Sequence, residues 1–499
     1  MRNRIFAAAG AVLILSLTAG AASAAERNIV LIVADDHGCD AGCYGNPVIK
    51  TPAIDALAAE GTLFTHAFCT TASCSPSRSV ILTGMHNHAN GMFGLEHRCH
   101  HFQSYANVAS LPEYLGEAGY RTARCGKFHV APESAYHFET VLPDAGRRDM
   151  QMADNCREFV AADDPRPFFL YFCFHDPHRG GAVNRARPHE PNRFGNEAAG
   201  DDDVTIEYAS ADVVVPPFLP DTAACREELA EYYQSVSRLD GAVGRLIEHL
   251  QSAGVYDDTL VIYMSDHGIA MPAAKTTVYE GGLRSPLVVR NPYAEKQGIH
   301  NNAMISWVDI APTLLDFAGV LDADTGQPNR DVLQPIRAAA RKRPGHKLPT
   351  AQPGNLQGRS FMPILEAETP AGWDEVFASH TFHEVTMYYP MRVVRERQYK
   401  LICNLAAPLP FPFASDLWAA ATWQEQLKLG ADAPYGPWTV GSYQHRPRFE
   451  LYDLQADPNE SKNLAEAPEH AETMARLKKK LRGFQDATSD PWVLKWDRE

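Results

Sequence analysis

The chain has 499 residues, 45% of them hydrophobic, and a formal net charge of −15. That length can bury a large core and predicts one large domain with a smaller one beside it. The acidic balance argues against nucleic acid as a partner, and it requires any pocket for an anion to be locally cationic.

Arg2 and Arg4 precede an apolar run from Ile5 to Leu17, and Ala22-Ser23-Ala24 closes it. This is the pattern of a secretory signal peptide over residues 1–24. The run is too short for a membrane span, and no later segment is long and apolar enough for one. The expected location is the periplasm or outside the cell. No cysteine sits at the cleavage site, which argues against a lipoprotein.

Three apolar runs, 28–34, 167–174 and 259–264, read as buried parallel strands. Each ends in charged or imidazole groups. Asp35, Asp36 and His37 follow the first; His175, Asp176 and His178 the second; Asp266 and His267 the third. In open α/β sheets ligands bind outside the carboxyl ends of the strands, so three such ends predict one shared site. Between them, Thr51-Pro52 reads as N-cap and first residue of a helix running to Glu60, with Gly61 closing it. In 226–252, Leu229, Val236, Leu239, Val243, Leu246 and Leu250 share one helical face and form a core stripe. A further packing helix is predicted over 308–318. Strands alternating with helices give a mostly parallel sheet sandwiched by helices.

The composition changes near residue 323. Residues 324–358 are rich in Pro, Gly, Gln and Arg without periodicity and read as a surface insertion. Its basic residues Arg337, Arg341, Lys342 and Arg343 read as a solvated loop. Beyond it, short strands at 376–380, 391–395, 399–403 and 449–452 and a helix over 468–485 predict a smaller α+β domain with an antiparallel sheet. The expected division is a catalytic α/β domain over 25–323, a linker over 324–370 and the second domain over 371–499.

Consecutive Asp35 and Asp36 at a strand end repel unless a cation neutralises them. Oxygen ligands suit a hard divalent ion, Ca²⁺ ahead of Mg²⁺, and Asp266 completes the cage. His86, His88, His97, His100 and His101 lack the second ligand set of a closed zinc site and read as loop polarity. The ten cysteines are irregularly spaced. They imply no dense disulfide framework, and whether the nearest pair, Cys39 and Cys43, is bridged is left open.

Cys74 opens the run Cys74-Ser75-Pro76-Ser77-Arg78, with Leu82-Thr83-Gly84 after it. Seven fixed residue types in eleven positions arise at a given start with a chance on the order of 10⁻⁹. Cys74 is predicted at a helix N-terminus, which favours an anion, and Arg78 lies one turn on along the same face. Gly126-Lys127-Phe128-His129 is a second motif, and Lys275 lies nine residues after Asp266.

These motifs resemble those of the type I sulfatases, which carry C-x-P-S-R-x-x-x-L-T-G and G-K-x-H. The resemblance implies the alkaline-phosphatase-like fold. It also implies a formylglycine-generating enzyme that oxidises Cys74 to an aldehyde, which is hydrated to a geminal diol. One diol oxygen attacks sulfur; loss of the other hydroxyl's proton then expels sulfate and restores the aldehyde. By resemblance, Arg78 stabilises the diol or the sulfate, and Lys127 and Lys275 bind the sulfate. His129 takes the diol proton, and His178 is the acid for the leaving group. Residue 74, Asp35, Asp36, Asp266 and His267 surround the metal. His267 occupies a position where the family often has Asn.

Further segments are similar to the sulfamidase branch, the N-sulfoglucosamine sulfohydrolases, which cleave an S–N bond. They are Asn90 to Leu95, Phe174 to Arg179, His383 to Arg392, Glu450 to Asp453 and Asp490 to Val493. His267 and Lys275 depart from the Asn and Arg of that branch. The implied substrate is a sulfated saccharide, most specifically N-sulfoglucosamine at the non-reducing end of heparan or heparin fragments. Asp176, His383, Glu384 and Arg392 are candidates to hold the sugar. An O-sulfatase on another sulfated sugar, a phosphodiesterase of the same superfamily and an unmodified protein that only binds sulfated glycans stay open as alternatives. A homodimer is compatible with the sequence.

Overall fold

The computed structural model describes residues 27–180, 193–329, 333 and 356–497. The predicted signal segment, most of the insertion and its four basic residues lie outside the described residues.

The apolar runs become the middle of a large sheet. Its strands are β1 (Asn28–Ala34), β2 (Thr62–Phe68), β3 (Arg121–Gly126), β4 (Thr140–Val141), β5 (Phe168–Cys173), β6 (Thr259–Ser265), β7 (Leu287–Arg290) and β8 (Ile299–Ser306). Their order is β4-β3-β5-β1-β6-β7-β2-β8. Only β7 runs antiparallel to its neighbours; the other pairs are parallel. The three strands read from sequence are thus side by side, β5-β1-β6, each buried along its length.

Alternation along β1 assigns the two faces. Val30, Ile32 and Ala34 pack with Leu239, Val243, Leu246 and Leu250 of the helix Ala223–Ser252. Ile29, Leu31 and Val33 share a core with Val80, Ile81 and Leu82 of the helix Cys74–Thr83 and with Leu314 and Leu315 of Ile310–Phe317. The helix Pro52–Glu60 starts as predicted, but its cap differs. The Thr51 hydroxyl does not cap it; Asp240, from the long helix, accepts from the Ala53 and Ile54 amides at 3.1 and 2.8 Å.

The second sheet contains β9 (Glu375–His380), β10 (Met391–Glu396), β11 (Tyr399–Asn404) and, after a short hairpin of β12 (Pro434–Tyr435) and β13 (Trp438–Thr439), β14 (Phe449–Asp453). It is antiparallel throughout, in the order β14-β11-β10-β9. One face packs on Met474, Leu477 and Leu481 of the helix Ala471–Ala487. Val376, Ala378, Met391, Val393 and Ile402 join the core of the large sheet. The second sheet is therefore welded to the first by shared apolar burial, and its loops come over the first sheet's carboxyl edge: the Leu95 amide donates to the His383 carbonyl at 2.9 Å. All ten cysteines are free thiols, Cys39 and Cys43 among them. No helix among the described residues is long and apolar enough to cross a membrane.

Candidate active site

β3, β5, β1 and β6 end at one edge, and each delivers polar groups just beyond its last residue. Lys127 and His129 follow β3. The Gly126 before them has φ 78°, and a Cβ there would collide with the Cys173 carbonyl, so only glycine turns the chain here. Asp176 and His178 follow β5, Asp35 and Asp36 follow β1, and Asp266 and His267 follow β6. Asp36 is held at φ 71°, an uncommon conformation for a non-glycine residue, of the kind that clusters at active sites. The Asp36 amide is pinned by Asp266 Oδ1 at 3.1 Å.

The helix Cys74–Thr83 begins against this edge. Cys74 Sγ lies 3.5 Å from His267 Nε2 and 4.0 Å from Asp36 Oδ1. Burial pushes the thiol well above its ordinary range, with Lys127 opposing. An unmodified Cys74 is therefore a protonated, weakly nucleophilic group. One turn on, Arg78 is wholly buried. Its Nε donates to Asp266 Oδ2 at 3.0 Å, Nη2 to Asp35 Oδ1 at 3.3 Å and Nη1 to the Lys127 carbonyl at 3.1 Å. It braces the ends of β1, β3 and β6, and each guanidinium nitrogen already has a protein partner.

Lys127 Nζ pairs with Asp35 Oδ2. Lys275 Nζ donates to Asp36 Oδ2 at 2.8 Å, to His178 Nε2 at 2.8 Å and to Asp416 Oδ2 at 3.1 Å. Burial would lower the Lys275 ammonium, but Asp36 and Asp416 outweigh it and hold it well above the ordinary range. His178 Nδ1 donates to the Arg179 carbonyl at 2.6 Å, so Nε2 is the acceptor for Lys275. Burial, then Lys275, lowers His178 to about 4. His178 and Asp416 keep 26% and 22% of their side-chain surface exposed and mark the mouth of the site.

The donor set fits a divalent ion. Asp36, Cys74, Asp266 and His267 offer ligand atoms within 4.8 Å of one another, all buried. His267 gives its Nδ1–H to the Gly268 carbonyl at 3.0 Å and turns Nε2 to Asp36 Oδ1, also at 3.0 Å. A shared cation satisfies that nitrogen lone pair and the carboxylate together. Burial pushes the Asp266 carboxyl up despite His267 and Arg78 beside it, the state of a carboxylate short of positive charge. Asp35, Asp36 and Asp266 are balanced by Arg78, Lys127 and Lys275, and Asp416 adds one more negative group. A divalent ion therefore tips the site to the net positive charge a sulfate needs.

The candidate sugar-binding residues fare differently. Arg392 does not reach the pocket: it is buried and grips Asp490 through Nε and Nη2 at 2.5 and 2.9 Å, while Nη1 donates to the His380 carbonyl at 3.0 Å. Asp176 is likewise buried between Arg147 and Arg238, with Arg238 Nε at 2.7 Å. Each is a desolvated ion pair inside the fold, where its charge is already matched. His383 is at the pocket wall, with Nδ1 2.9 Å from Ser73 Oγ beside Cys74. Glu384 accepts from the Ser415 amide and hydroxyl at 3.0 and 2.6 Å, which fixes the start of the short helix Ser415–Trp418. Asp416, on that helix, belongs to no motif and was not foreseen from the sequence; only its partners reveal it.

The histidine-rich stretch divides. His86 and His88 pack on Phe484, and His88 links Ser379 Oγ to Thr488 Oγ1 at 3.0 and 2.8 Å. His97 instead meets the site, its Nδ1 lying 2.5 Å from His129 Nε2.

A sulfatase family model matches residues 27–320. The chain belongs to the sulfatase family, and its chemistry is that of a sulfatase hydrolase; such enzymes work with a formylglycine and a divalent metal ion. Within the family it is 39% identical to human N-sulphoglucosamine sulphohydrolase over 493 residues, 96% of this chain and 94% of that protein. It is 27% identical to an ulvan-active sulfatase of Formosa agariphila, covering 93% of this chain and 81% of that one. The solved structure of BT4656 in complex with its substrate D-glucosamine-2-N,6-O-disulfate shares the fold, with TM-score 0.64 and 22% identity over 93% of this chain and 99% of that chain.

Proposed function

We propose that the protein is a sulfamidase that releases sulfate from N-sulfoglucosamine at the non-reducing end of heparan or heparin fragments. The observation that carries this is the 39% identity to human N-sulphoglucosamine sulphohydrolase across nearly the whole of both chains, second sheet included.

Cys74, oxidised to formylglycine and hydrated, supplies the attacking oxygen. Lys127 and Lys275 turn from Asp35 and Asp36 toward the sulfate oxygens as substrate enters, and so hold the sulfur in line with that oxygen. Arg78 keeps the carboxylates in place. An amine leaves poorly until protonated. His178, freed from Lys275, takes a proton from solvent at the open mouth and passes it from Nε2 to the departing nitrogen. His129 accepts the proton whose loss expels sulfate. Asp35, Asp36, Asp266 and His267, with the oxygen of residue 74, would hold Ca²⁺, which when bound offsets the carboxylates and polarises that oxygen. His383 and the corner Glu384–Ser415–Asp416 border the sugar. The chain is secreted or periplasmic after loss of residues 1–24, matures through a formylglycine-generating enzyme, and divides into a catalytic domain over 25–323 and a second domain over 371–499.

A substrate panel tests the reading: N-sulfoglucosamine against its 6-O- and 3-O-sulfated isomers. Turnover of the N-sulfated sugar is the expected result; activity on the 6-O isomer alone would replace sulfamidase by O-sulfatase. Peptide mass tests maturation, because conversion of Cys74 lowers it by about 18 Da. Cys74→Ala should fold normally and release no sulfate; an unshifted mass in active enzyme would remove the formylglycine mechanism.

A further inference from the structure

We propose that Glu96, His97 and His129 form a second metal site, specific for a borderline ion such as Zn²⁺ and separate from the carboxylate cage. The three side chains bring a carboxylate oxygen and two imidazole nitrogens within 4.8 Å of one another. His97 and Glu96 come from the loop after Gly94, and His129 from the turn after β3, so the fold assembles ligands 32 residues apart in sequence. A carboxylate with two imidazoles is the ligand set of a zinc site that keeps a position open, and it differs from the oxygen-rich set a hard ion takes.

Three features point to an ion here. His97 Nδ1 and His129 Nε2 face each other at 2.5 Å. Two nitrogens on a tetrahedral zinc are about 3.3 Å apart, so a small ring rotation opens the pair to receive the ion. Coordination at Nε2 fixes the His129 ring as the neutral Nδ1–H tautomer. Burial, helped by His100 and by Lys127 respectively, keeps His97 and His129 in the neutral form that binds metal. Burial also raises the Glu96 carboxyl, with His101 opposing, so this carboxylate gains from a cation.

Filling the site has a consequence that rests on the role of His129 proposed above. A metal-bound imidazole has no free basic nitrogen, so the proton that triggers sulfate release loses its acceptor. Zinc would then silence the enzyme without disturbing its calcium.

The experiment is calorimetric titration of Zn²⁺ into the calcium-loaded, formylglycine-bearing enzyme, with metal analysis before and after. One zinc per chain is expected, calcium content unchanged. His97→Gln should weaken zinc binding by at least about tenfold and Glu96→Gln by less, in proteins whose thermal melts match wild type. Cys99→Ser, altering the exposed thiol nearby, should bind zinc as wild type does. Undiminished binding by His97→Gln, displacement of calcium, or loss of binding in Cys99→Ser alone would overturn the site. Sulfate release should fall by about a hundredfold or more as zinc saturates. Saturation that depends on His97 but leaves hydrolysis unimpaired would overturn the assignment of His129 as the base and leave the metal site standing.

Discussion

The Lys275 ammonium donates to His178 Nε2 at 2.8 Å and to Asp36 Oδ2 at the same distance. One cation thus occupies both the proposed acid and a proposed metal ligand until something more attractive arrives. A sulfate oxygen is such a group.

Lys275→Met should therefore lose transition-state stabilisation and lower kcat by about 10²–10³-fold. A single-turnover assay reads this directly. A change confined to KM would mean that Lys275 binds the ground state and the transition state equally.

Asp416→Asn removes one of the two carboxylates that hold Lys275, and Glu384→Gln loosens the helix start that carries Asp416. Losing a hydrogen bond between charged groups costs about 1.5–3 kcal/mol, roughly ten- to a hundredfold in kcat/KM. The larger loss should fall on Asp416→Asn, and both losses should be greater on N-sulfoglucosamine than on a small aryl sulfate, which has no sugar to border these residues. Equal losses on the two substrates would place the corner at the sulfate end.

Arg392→Leu should act on stability alone. It strands Asp490, which is held far below the ordinary carboxylate range, burial being outweighed by Arg392. Breaking a buried pair from one side costs about 3–5 kcal/mol. The urea midpoint should fall accordingly, while kcat/KM of the folded fraction stays at wild-type level.

Acid should loosen the junction between the two sheets through His88. Burial lowers its imidazole from 6.5 to about 4, Asp490 opposing. The unfolded chain therefore binds a proton that the folded one refuses. This contribution to stability is complete above pH 6.5 and is lost as pH falls from about 6.5 to about 4, amounting to about 3 kcal/mol. Denaturant midpoints measured across that window should slope less in His88→Gln than in wild type.

The central strands could be read from sequence because a parallel strand buried on both faces is a continuous apolar run, and β1, β5 and β6 have that composition. β3 escaped because Arg121 and Arg124 interrupt it, and β8 because His300, Asn301 and Asn302 break up its first half. The motif residues could be read because chemistry fixes their spacing along one strand end or one helical turn. Asp416 could not: it reaches Lys275 from 141 residues away, on a four-residue helix whose position is set by Glu384 and by packing. Arg392 misled for the opposite reason. It stands within a segment that resembles the sulfamidase branch, yet its alternation along β10 turns it to Asp490.

Cys74 is only 1% exposed, under a helix start closed by Ser73, His267 and Asp36. A modifying enzyme of the kind proposed above, which must grasp the Cys74-Ser75-Pro76-Ser77-Arg78 stretch, would have no access to it once the sheet has closed. Under that proposal maturation would be a race against folding. Chains that closed first would be sealed as thiols, and no later supply of the modifying enzyme would recover them. The specific activity of a preparation would then record the conditions under which the protein was synthesised, and two samples of equal purity and equal stability would differ in activity for that reason alone.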